Sequence, residues 1–135
     1  MNKKINVVLD TSVVISAFWS ADGNPANIVK LFPDEITPYI NDLILSEYND
    51  VLNRSKFNFS KEKKEAFFAK MNEYGTQYMP KASTISLIDE DDRIFYDTAK
   101  ESGSILVTGN IKHFPNEAFV MTPAQFMNMY KTSKT

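Results

Sequence analysis

The segment INVVL, residues 5–9, is apolar at four of its five positions: Ile5, Val7, Val8 and Leu9. A strand on a half-exposed sheet alternates apolar and polar residues, whereas a continuous apolar run predicts a strand covered on both faces. Such strands belong to parallel sheets that lie between layers of helices. The chain is therefore expected to be an α/β protein.

The order of the remaining elements supports this fold class. A strand over about 5–10 leads into a helix capped by Thr11 or Ser12, and the turn DGNP places Asn24 as the cap of a second helix with Pro25 at its first position. Further helices are predicted over NDLILSEYNDVLN, SKEKKEAFFAKMNEYG, DDRIFYDTAKESG and from TPAQF, and strands over TPYI, SILVT and AFVM, with STISLI either extended or a connection. Strands that alternate with helices predict a mainly parallel sheet whose ligands bind beyond the carboxyl ends of the strands, near the point where the strand order reverses.

The chain of 135 residues is interpreted as a single domain over 1–131, followed by a frayed tail over 132–135. No apolar stretch approaches the roughly 18 to 20 residues that cross a bilayer, and Asp10 interrupts the first apolar run. These features predict a cytoplasmic protein with no membrane partner.

The composition restricts the metal ions and partners that the chain can bind. It has no cysteine and one histidine, His113, so a disulfide framework and a thiolate metal site are both excluded. Oxygen ligands then favour Mg²⁺ or Mn²⁺ over zinc. The net charge is −2, whereas a protein that binds nucleic acid by electrostatics alone is usually basic. Contact with RNA would require a feature beyond the summed charge.

The positions of three carboxylates make them candidate functional residues. Asp10 ends the first buried strand, where an unpaired carboxylate costs several kcal/mol. Glu47 lies at the edge of the apolar stripe of its helix, since Leu43 and Val51 are four residues to either side. Asp92 lies at or just before the first turn of its helix.

The residues alone leave two interpretations open. The acids are either helix caps and solvated charges, which are favourable at helix N-termini, or they converge at one edge of the sheet. In the second case their repulsion would be relieved by a divalent cation, which can activate water at a phosphodiester. The segment VTGN adds Thr108 and Asn110 at the end of a strand that the pattern puts beside the first.

The ordered set DTSV, a helical glutamate, DEDDRIFYDTA and ILVTGNIKHFP resembles the PIN-domain ribonucleases over about residues 5–130. The likeness is greatest to the bacterial group described as toxins of toxin–antitoxin pairs. The resemblance implies a three-layer α/β/α sandwich with a central, mainly parallel sheet.

The resemblance also implies roles for individual residues. Asp10, Glu47 and Asp92 match the acidic catalytic and metal-binding positions, and Asp92 is preferred over Asp91 because Ala99 matches a small residue seven positions later. The supporting hydroxyls would be Thr11 or Ser12, beside the first acid, and Thr108.

One position departs from the family pattern. Asn110 stands where many relatives have a fourth aspartate, so it can ligate a metal through its amide oxygen but adds no charge. A fully occupied two-metal site is therefore in doubt.

For the activity, the resemblance implies a Mg²⁺- or Mn²⁺-dependent endoribonuclease with an RNA substrate, a possible cognate antitoxin and a homodimeric assembly. The alternative is a catalytically weakened PIN-like module that binds RNA or protein without cleavage.

Two other enzyme classes place an aspartate after the first strand. Phosphoaspartyl phosphatases require a second carboxylate two residues later, where this chain has Ser12. Response-regulator receivers require an acidic pair at that strand end, and Asp10 stands alone there. Both classes fit the residues less well than a metal-dependent nuclease.

Overall fold

The computed structural model describes residues 4–134. Residues 1–3 of the predicted domain and Thr135 of the predicted tail lie outside the described residues. The strands are β1 (Ile5–Leu9), β2 (Ile36–Ile40), β3 (Thr76–Gln77), β4 (Ile105–Val107) and β5 (Val120–Met121). The helices are α1 (Thr11–Trp19), α2 (Asn24–Lys30), α3 (Asp42–Leu52), α4 (Lys61–Tyr74), α5 (Arg93–Ser102) and α6 (Pro123–Ser133), and short 3₁₀ turns cover Glu90–Asp92 and Ile111–His113.

The five strands form one sheet in the order β3-β2-β1-β4-β5, and every neighbouring pair is parallel. The predicted α/β class with helices flanking a parallel sheet is therefore confirmed. The chain builds outwards from β1 to β3 and then returns to the other side of β1 with β4. This reversal leaves a crevice at the carboxyl ends of β1 and β4, where α/β sheets usually bind ligands.

The central strand β1 is covered as its sequence predicts. Val7 and Val8 are fully buried and Leu9 is nearly so. Leu9 lies opposite Val107 of β4, and both strands are packed under α5. This register brings the residues after Leu9 and Val107 side by side.

Two helix starts differ from the sequence prediction. Asp10, and neither Thr11 nor Ser12, occupies the N-cap position of α1, because its extended backbone still bonds to the sheet while its carbonyl accepts the Val13 N–H. The N-cap of α2 is Gly23 and not Asn24, because the Gly23 carbonyl already accepts the Asn27 N–H at 3.1 Å.

The segment STISLI forms no strand and is a connection. Its course is held by Arg93, which donates to the carbonyls of Ser83 and Ile85, and by Asp97, which accepts the Ser83 N–H. The edge strand β3 is present instead at Thr76–Gln77, where no apolar pattern predicted it.

The last helix reaches further than predicted. Thr132 and Ser133, assigned to the frayed tail by sequence, are helical, and their hydroxyls donate to the carbonyls of Asn128 and Tyr130. Lys134 then pairs with Glu35 at 2.7 Å. The start of α6 is as predicted, since Thr122 and Gln125 form a capping box.

Asn41 directly follows β2, connects three parts of the chain through its side chain, and is 2% exposed. Its Oδ1 accepts the Ile44 N–H, and its Nδ2 donates to the Tyr78 carbonyl and to Thr98 Oγ1. We predict that Asn41→Ala lowers the free energy of unfolding by about 2–4 kcal/mol, the sum of a lost N-cap and buried groups left without partners.

Urea unfolding at pH 7 measures this loss. Asn53→Ala is the matched control, because Asn53 is exposed at the C-terminal end of the same helix and should change the stability by less than about 0.5 kcal/mol. Equal losses in the two variants would contradict the structural role given to Asn41.

Candidate active site

Asp10 lies at the crevice between β1 and β4 and is 5% exposed. Its backbone N–H donates to the Val107 carbonyl at 2.9 Å, and its own carbonyl accepts the first N–H bond of α1. The residue is therefore fixed on both sides by regular structure. Its carboxylate makes no capping bond to the helix and points to other partners.

Two hydroxyls hold the Asp10 carboxylate. Ser12 Oγ donates to Asp10 Oδ2 at 2.8 Å, and Thr108 Oγ1 donates to the same oxygen at 2.7 Å. Each hydroxyl also accepts a backbone N–H, Ser12 from Gly109 and Thr108 from Asn110. The loop after β4 is thereby tied to the start of α1, and both hydroxyls present their protons to Asp10.

Gly109 is a contributor that sequence reasoning missed. A Cβ on this residue would lie 3.4 Å from Ser12 Oγ, at the limit of ordinary contact, so a residue without a side chain suits the approach of this loop to the start of α1. The only signal in the sequence was its position inside VTGN.

Tyr48 was also missed, because its place in the apolar stripe of α3 predicted only packing. Its hydroxyl donates to the carbonyl of Leu9, the residue before Asp10. Burial raises the pKa of Tyr48, and the nearby negative charge of Asp10 raises it further. Tyr48 thus fixes the end of β1 as a neutral hydrogen-bond donor.

Asp92 has a largely buried carboxylate that is only partly satisfied by its neighbours. Its side chain is 16% exposed, and its Oδ2 is buried without accepting a hydrogen bond from any described residue. Burial and then the charge of Asp10 raise the pKa of Asp92 to about 6, an effect that His113 opposes. A buried carboxylate oxygen with no donor is a costly arrangement that a cation would relieve.

His113 approaches this carboxylate from the 3₁₀ turn after β4, with Nδ1 3.5 Å from Asp92 Oδ2. The sequence favoured a loop or helix-start position over a function for this residue. In the structure the carboxylate of Asp92 lies next to His113. The two residues are distant in sequence, so the sequence alone could not predict this contact.

Glu47 lies on α3 and is half-buried. Burial raises its pKa, and the charge of Asp91 contributes more to this rise than that of Asp10. Asp91 is exposed, whereas Asp92 is the more buried of the two. The two neighbouring aspartates therefore differ in role, with Asp92 beside Asp10 and Asp91 acting on Glu47.

The predicted residues are brought together only in part. Asp10, Ser12 and Thr108 form one hydrogen-bonded group, and Asp92 lies within electrostatic range of it. Asn110 is exposed and contributes its backbone N–H, and Thr11 Oγ1 is buried with no hydrogen-bond partner among residues 4–134. Within the same residues, no three histidine, aspartate or glutamate side chains form a ready metal-binding group.

The donor set nevertheless fits a hard divalent cation. Mg²⁺ keeps several of its waters in proteins and is commonly held by one or two carboxylates. Asp10 and Asp92 supply two anionic groups, and the Asp92 oxygen that accepts no hydrogen bond from the described residues is the atom that a cation would satisfy. A preassembled cage of three carboxylates is not required for this kind of site.

No helix in the described part of the chain has the length and apolar character needed to span a membrane.

Comparisons with known proteins agree with the fold. The family model described as PIN domain matches residues 6–112. The uncharacterized protein MJ1680 of Methanocaldococcus jannaschii is 31% identical over 119 residues, which cover 79% of this chain and 72% of that protein.

A solved structure has a similar fold at low identity. It is VapBC2 from Rickettsia felis bound to a DNA fragment from their promoter, with a TM-score of 0.59 and 18% identity over 87% of this chain and 97% of the matched chain. The family match includes the strand that ends at Asp10, the helix of Glu47 and the VTGN segment. The chain belongs to the PIN-domain family, whose members are generally nucleases that use divalent metal ions.

Proposed function

We propose that the chain is a Mg²⁺- or Mn²⁺-dependent endoribonuclease. The observation that carries this proposal is the buried Oδ2 of Asp92, which lies 3.5 Å from His113 Nδ1 but accepts no hydrogen bond from residues 4–134, within electrostatic range of the hydroxyl-bound carboxylate of Asp10. Asp10 directly follows β1 at the crevice where the strand order reverses.

Asp10 and Asp92 are the principal metal ligands in this proposal, and Glu47 and Asn110 complete the site. When bound, the metal lowers the pKa of an attacking water and neutralises charge that develops on the phosphodiester. The chain's own hydroxyls do the positioning: Ser12 and Thr108 hold one oxygen of Asp10 and so leave its other oxygen free to ligate. Thr11, next to Asp10, is proposed as a supporting residue.

The test is cleavage of an end-labelled single-stranded RNA by the purified chain in Mg²⁺, in Mn²⁺ and in EDTA. Internal cuts that require the metal are expected, with the products resolved on a denaturing gel. Binding of the RNA without cleavage in either metal would instead favour the catalytically weakened module, for which Asn110 and the incomplete carboxylate group are the supporting features.

Thr108 acts on the metal through Asp10. We predict that Thr108→Val raises the Mn²⁺ concentration for half-maximal cleavage by roughly 10- to 100-fold, because the loss of a hydrogen-bond partner of a ligating carboxylate commonly has an effect of this size. Thr108→Ser keeps the hydroxyl that donates to Asp10 and should stay close to wild type. If the serine variant is impaired as strongly as the valine variant, packing and not the hydrogen bond accounts for the loss.

The proposed biological role is the toxin of a toxin–antitoxin pair, with an antitoxin as protein partner and a homodimeric assembly. The likeness to the chain in the VapBC2 structure and the family resemblance support this role. The surface offers a groove of about 470 Å³ between α1, α2 and α4, with Phe18, Val29 and Phe67 in its lining and Lys30, Lys63 and Lys70 among its cations. An amphipathic segment with acidic flanks would match this groove in shape and charge.

The antitoxin proposal is tested by co-expression with the product of a neighbouring reading frame. Ala66→Arg, which fills the groove without touching the crevice residues, should release that product while cleavage is retained. Size-exclusion chromatography with light scattering gives the oligomeric state of the free chain.

A further inference from the structure

Three aromatic rings form an exposed surface, which we call the aromatic platform: Trp19, Phe57 and Phe59. The rings of Phe57 and Phe59 are stacked, with centroids 5.3 Å apart and planes at 7°. Trp19 meets both edge-on, at 5.9 Å from Phe57 and 5.3 Å from Phe59. Trp19 is the chain's one tryptophan and is 61% exposed.

The local backbone explains how the platform is built. Phe57 and Phe59 flank Asn58, which has a positive φ of 50°, a conformation that asparagine tolerates better than most residues. Phe18 packs under Phe59 at 5.1 Å and links the platform to the core. The rings are therefore packed against the core, yet most of the Trp19 side chain is exposed.

The platform lies in the most basic part of the chain. Residues 53–64 hold one acid, Glu62, and five cations, whereas the whole chain has a net charge of −2; the cations are Arg54, Lys56, Lys61, Lys63 and Lys64. Lys56 Nζ lies 5.1 Å from the centroid of the Phe57 ring. Arg54 pairs with Asp50 and Lys61 with Glu65 at exposed positions, and Lys64 Nζ donates to Asn53 Oδ1 at 2.7 Å. Among residues 4–134, no carboxylate forms an ion pair with Lys56 or Lys63, so these two charges are available to a ligand.

The platform is connected to α3, the helix that carries Glu47. Arg54 lies two residues after the end of this helix. The Phe57 N–H donates to the Arg54 carbonyl at 3.1 Å. The sequence order Glu47, Arg54, Phe57 therefore connects the candidate site to the platform through the end of α3.

We propose that the aromatic platform binds single-stranded RNA, with a base stacked on Trp19 and the adjoining phosphates on Arg54 and Lys56. Stacking on an aromatic side chain requires an unpaired base, so duplex RNA is excluded from this surface. The platform also supplies the local positive charge that an acidic chain needs in order to attract RNA. The inference rests on the proposed ribonuclease activity and assigns its substrate class and binding surface.

Trp19 itself reports on the test. The intrinsic fluorescence of wild-type protein is titrated in EDTA, which prevents metal-dependent cleavage, with a single-stranded oligoribonucleotide, a duplex of equal length and polyglutamate. Saturable quenching by the single strand, at least about tenfold tighter than by the duplex, is the expected result. Quenching by polyglutamate with none by the single strand would overturn the proposal and assign the surface to an acidic protein.

Two variants separate stacking from charge, with RNA affinity read from the anisotropy of a labelled single strand. Phe57→Ala should weaken binding about tenfold without changing its salt dependence, because it removes a ring but no cation. Lys56→Ala should reduce the slope of log affinity against log salt by about 0.7, the value for one phosphate contact on a single strand. Trp19 and Lys63 also line the groove between α1, α2 and α4, whereas Phe57 and Lys56 do not, so these two variants report on the platform and not on the groove.

Tyr74→Ala and Lys131→Ala are the matched controls, since Tyr74 is 43% exposed and both residues lie outside the platform. They should bind RNA as wild type does, and thermal unfolding checks that all four variants are folded. Equal affinities in Phe57→Ala and Tyr74→Ala would overturn the role of the platform.

The outcomes also separate this inference from the proposed activity. Metal-dependent cleavage without quenching of Trp19 would support the proposed nuclease activity and contradict RNA binding by the platform. Quenching by single-stranded RNA without cleavage in any metal would support RNA binding by the platform and contradict the proposed nuclease activity.

Discussion

Replacing Asp10 with asparagine is expected to lower the rate of RNA cleavage by about a thousandfold, because a metal that loses a principal ligand forfeits several kcal/mol of transition-state stabilisation. The fold should be retained. An asparagine Oδ1 can still accept the hydroxyl protons of Ser12 and Thr108, and the backbone bonds of residue 10 do not involve its side chain. The free energy of unfolding in EDTA should therefore stay within about 1 kcal/mol of wild type.

Asp22→Asn is the matched control for the change in charge. Asp22 is exposed in the loop between α1 and α2, and no described residue pairs with it by a hydrogen bond or ion pair. Cleavage is followed in Mn²⁺ at pH 7.5, and stability by urea unfolding. A folded Asp10→Asn protein that cuts RNA at the wild-type rate would remove Asp10 from the active site.

Replacing Asp92 with asparagine is expected to stabilise the metal-free protein at pH 7.5 by about 2 kcal/mol. The pKa of Asp92 is about 6 in the folded chain against an ordinary value of 3.8, so the folded state disfavours the ionised form. A difference of about two pKa units corresponds to about 3 kcal/mol, and partial exposure of the side chain reduces the effect.

The sign of the pH dependence follows from the raised pKa. Below pH 3.8, Asp92 is protonated in both states and the asparagine variant has no advantage. As the pH rises from there to about 6, the unfolded chain ionises more readily than the folded one, and wild type loses stability relative to the variant. Above pH 7 the difference is constant.

Urea unfolding in EDTA at pH 4, 5, 6 and 7.5 measures this difference. Asp22→Asn should give no such pH-dependent gain. If Asp92→Asn gains nothing between pH 4 and pH 7.5, Asp92 is adequately solvated and its carboxylate does not require a cation.

The parts of the fold that sequence predicts are those with a strong local signal. The run that ends at Leu9 could be assigned as a buried strand, and the parallel α/β arrangement follows from the alternation of elements. The two-residue strand Thr76–Gln77 could not be predicted, because both residues are exposed and its pairing with Tyr39 and Ile40 is a long-range event. The cap at Gly23 was missed because Asn24 has the stronger intrinsic preference for that position.

The candidate site was predictable where residues directly follow strands. Asp10 and Thr108 could be paired in advance, because parallel strands end at a common edge, and their hydrogen bond at 2.7 Å agrees with this. The supporting contacts of Tyr48, Gly109 and His113 could not be inferred, since each joins elements that are distant in sequence. The neighbouring sequence predicts whether a side chain is buried, whereas the polar partners of that side chain depend on the tertiary fold.

The measurement that tests the central claim most directly is thermal unfolding in EDTA, Mg²⁺ and Mn²⁺, with wild type and Asp10→Asn side by side. A metal that binds only the folded state must raise the melting temperature. We predict a rise in millimolar Mn²⁺ for wild type that Asp10→Asn lacks. No rise in wild type, or an equal rise in both proteins, would contradict a metal site at Asp10 and Asp92.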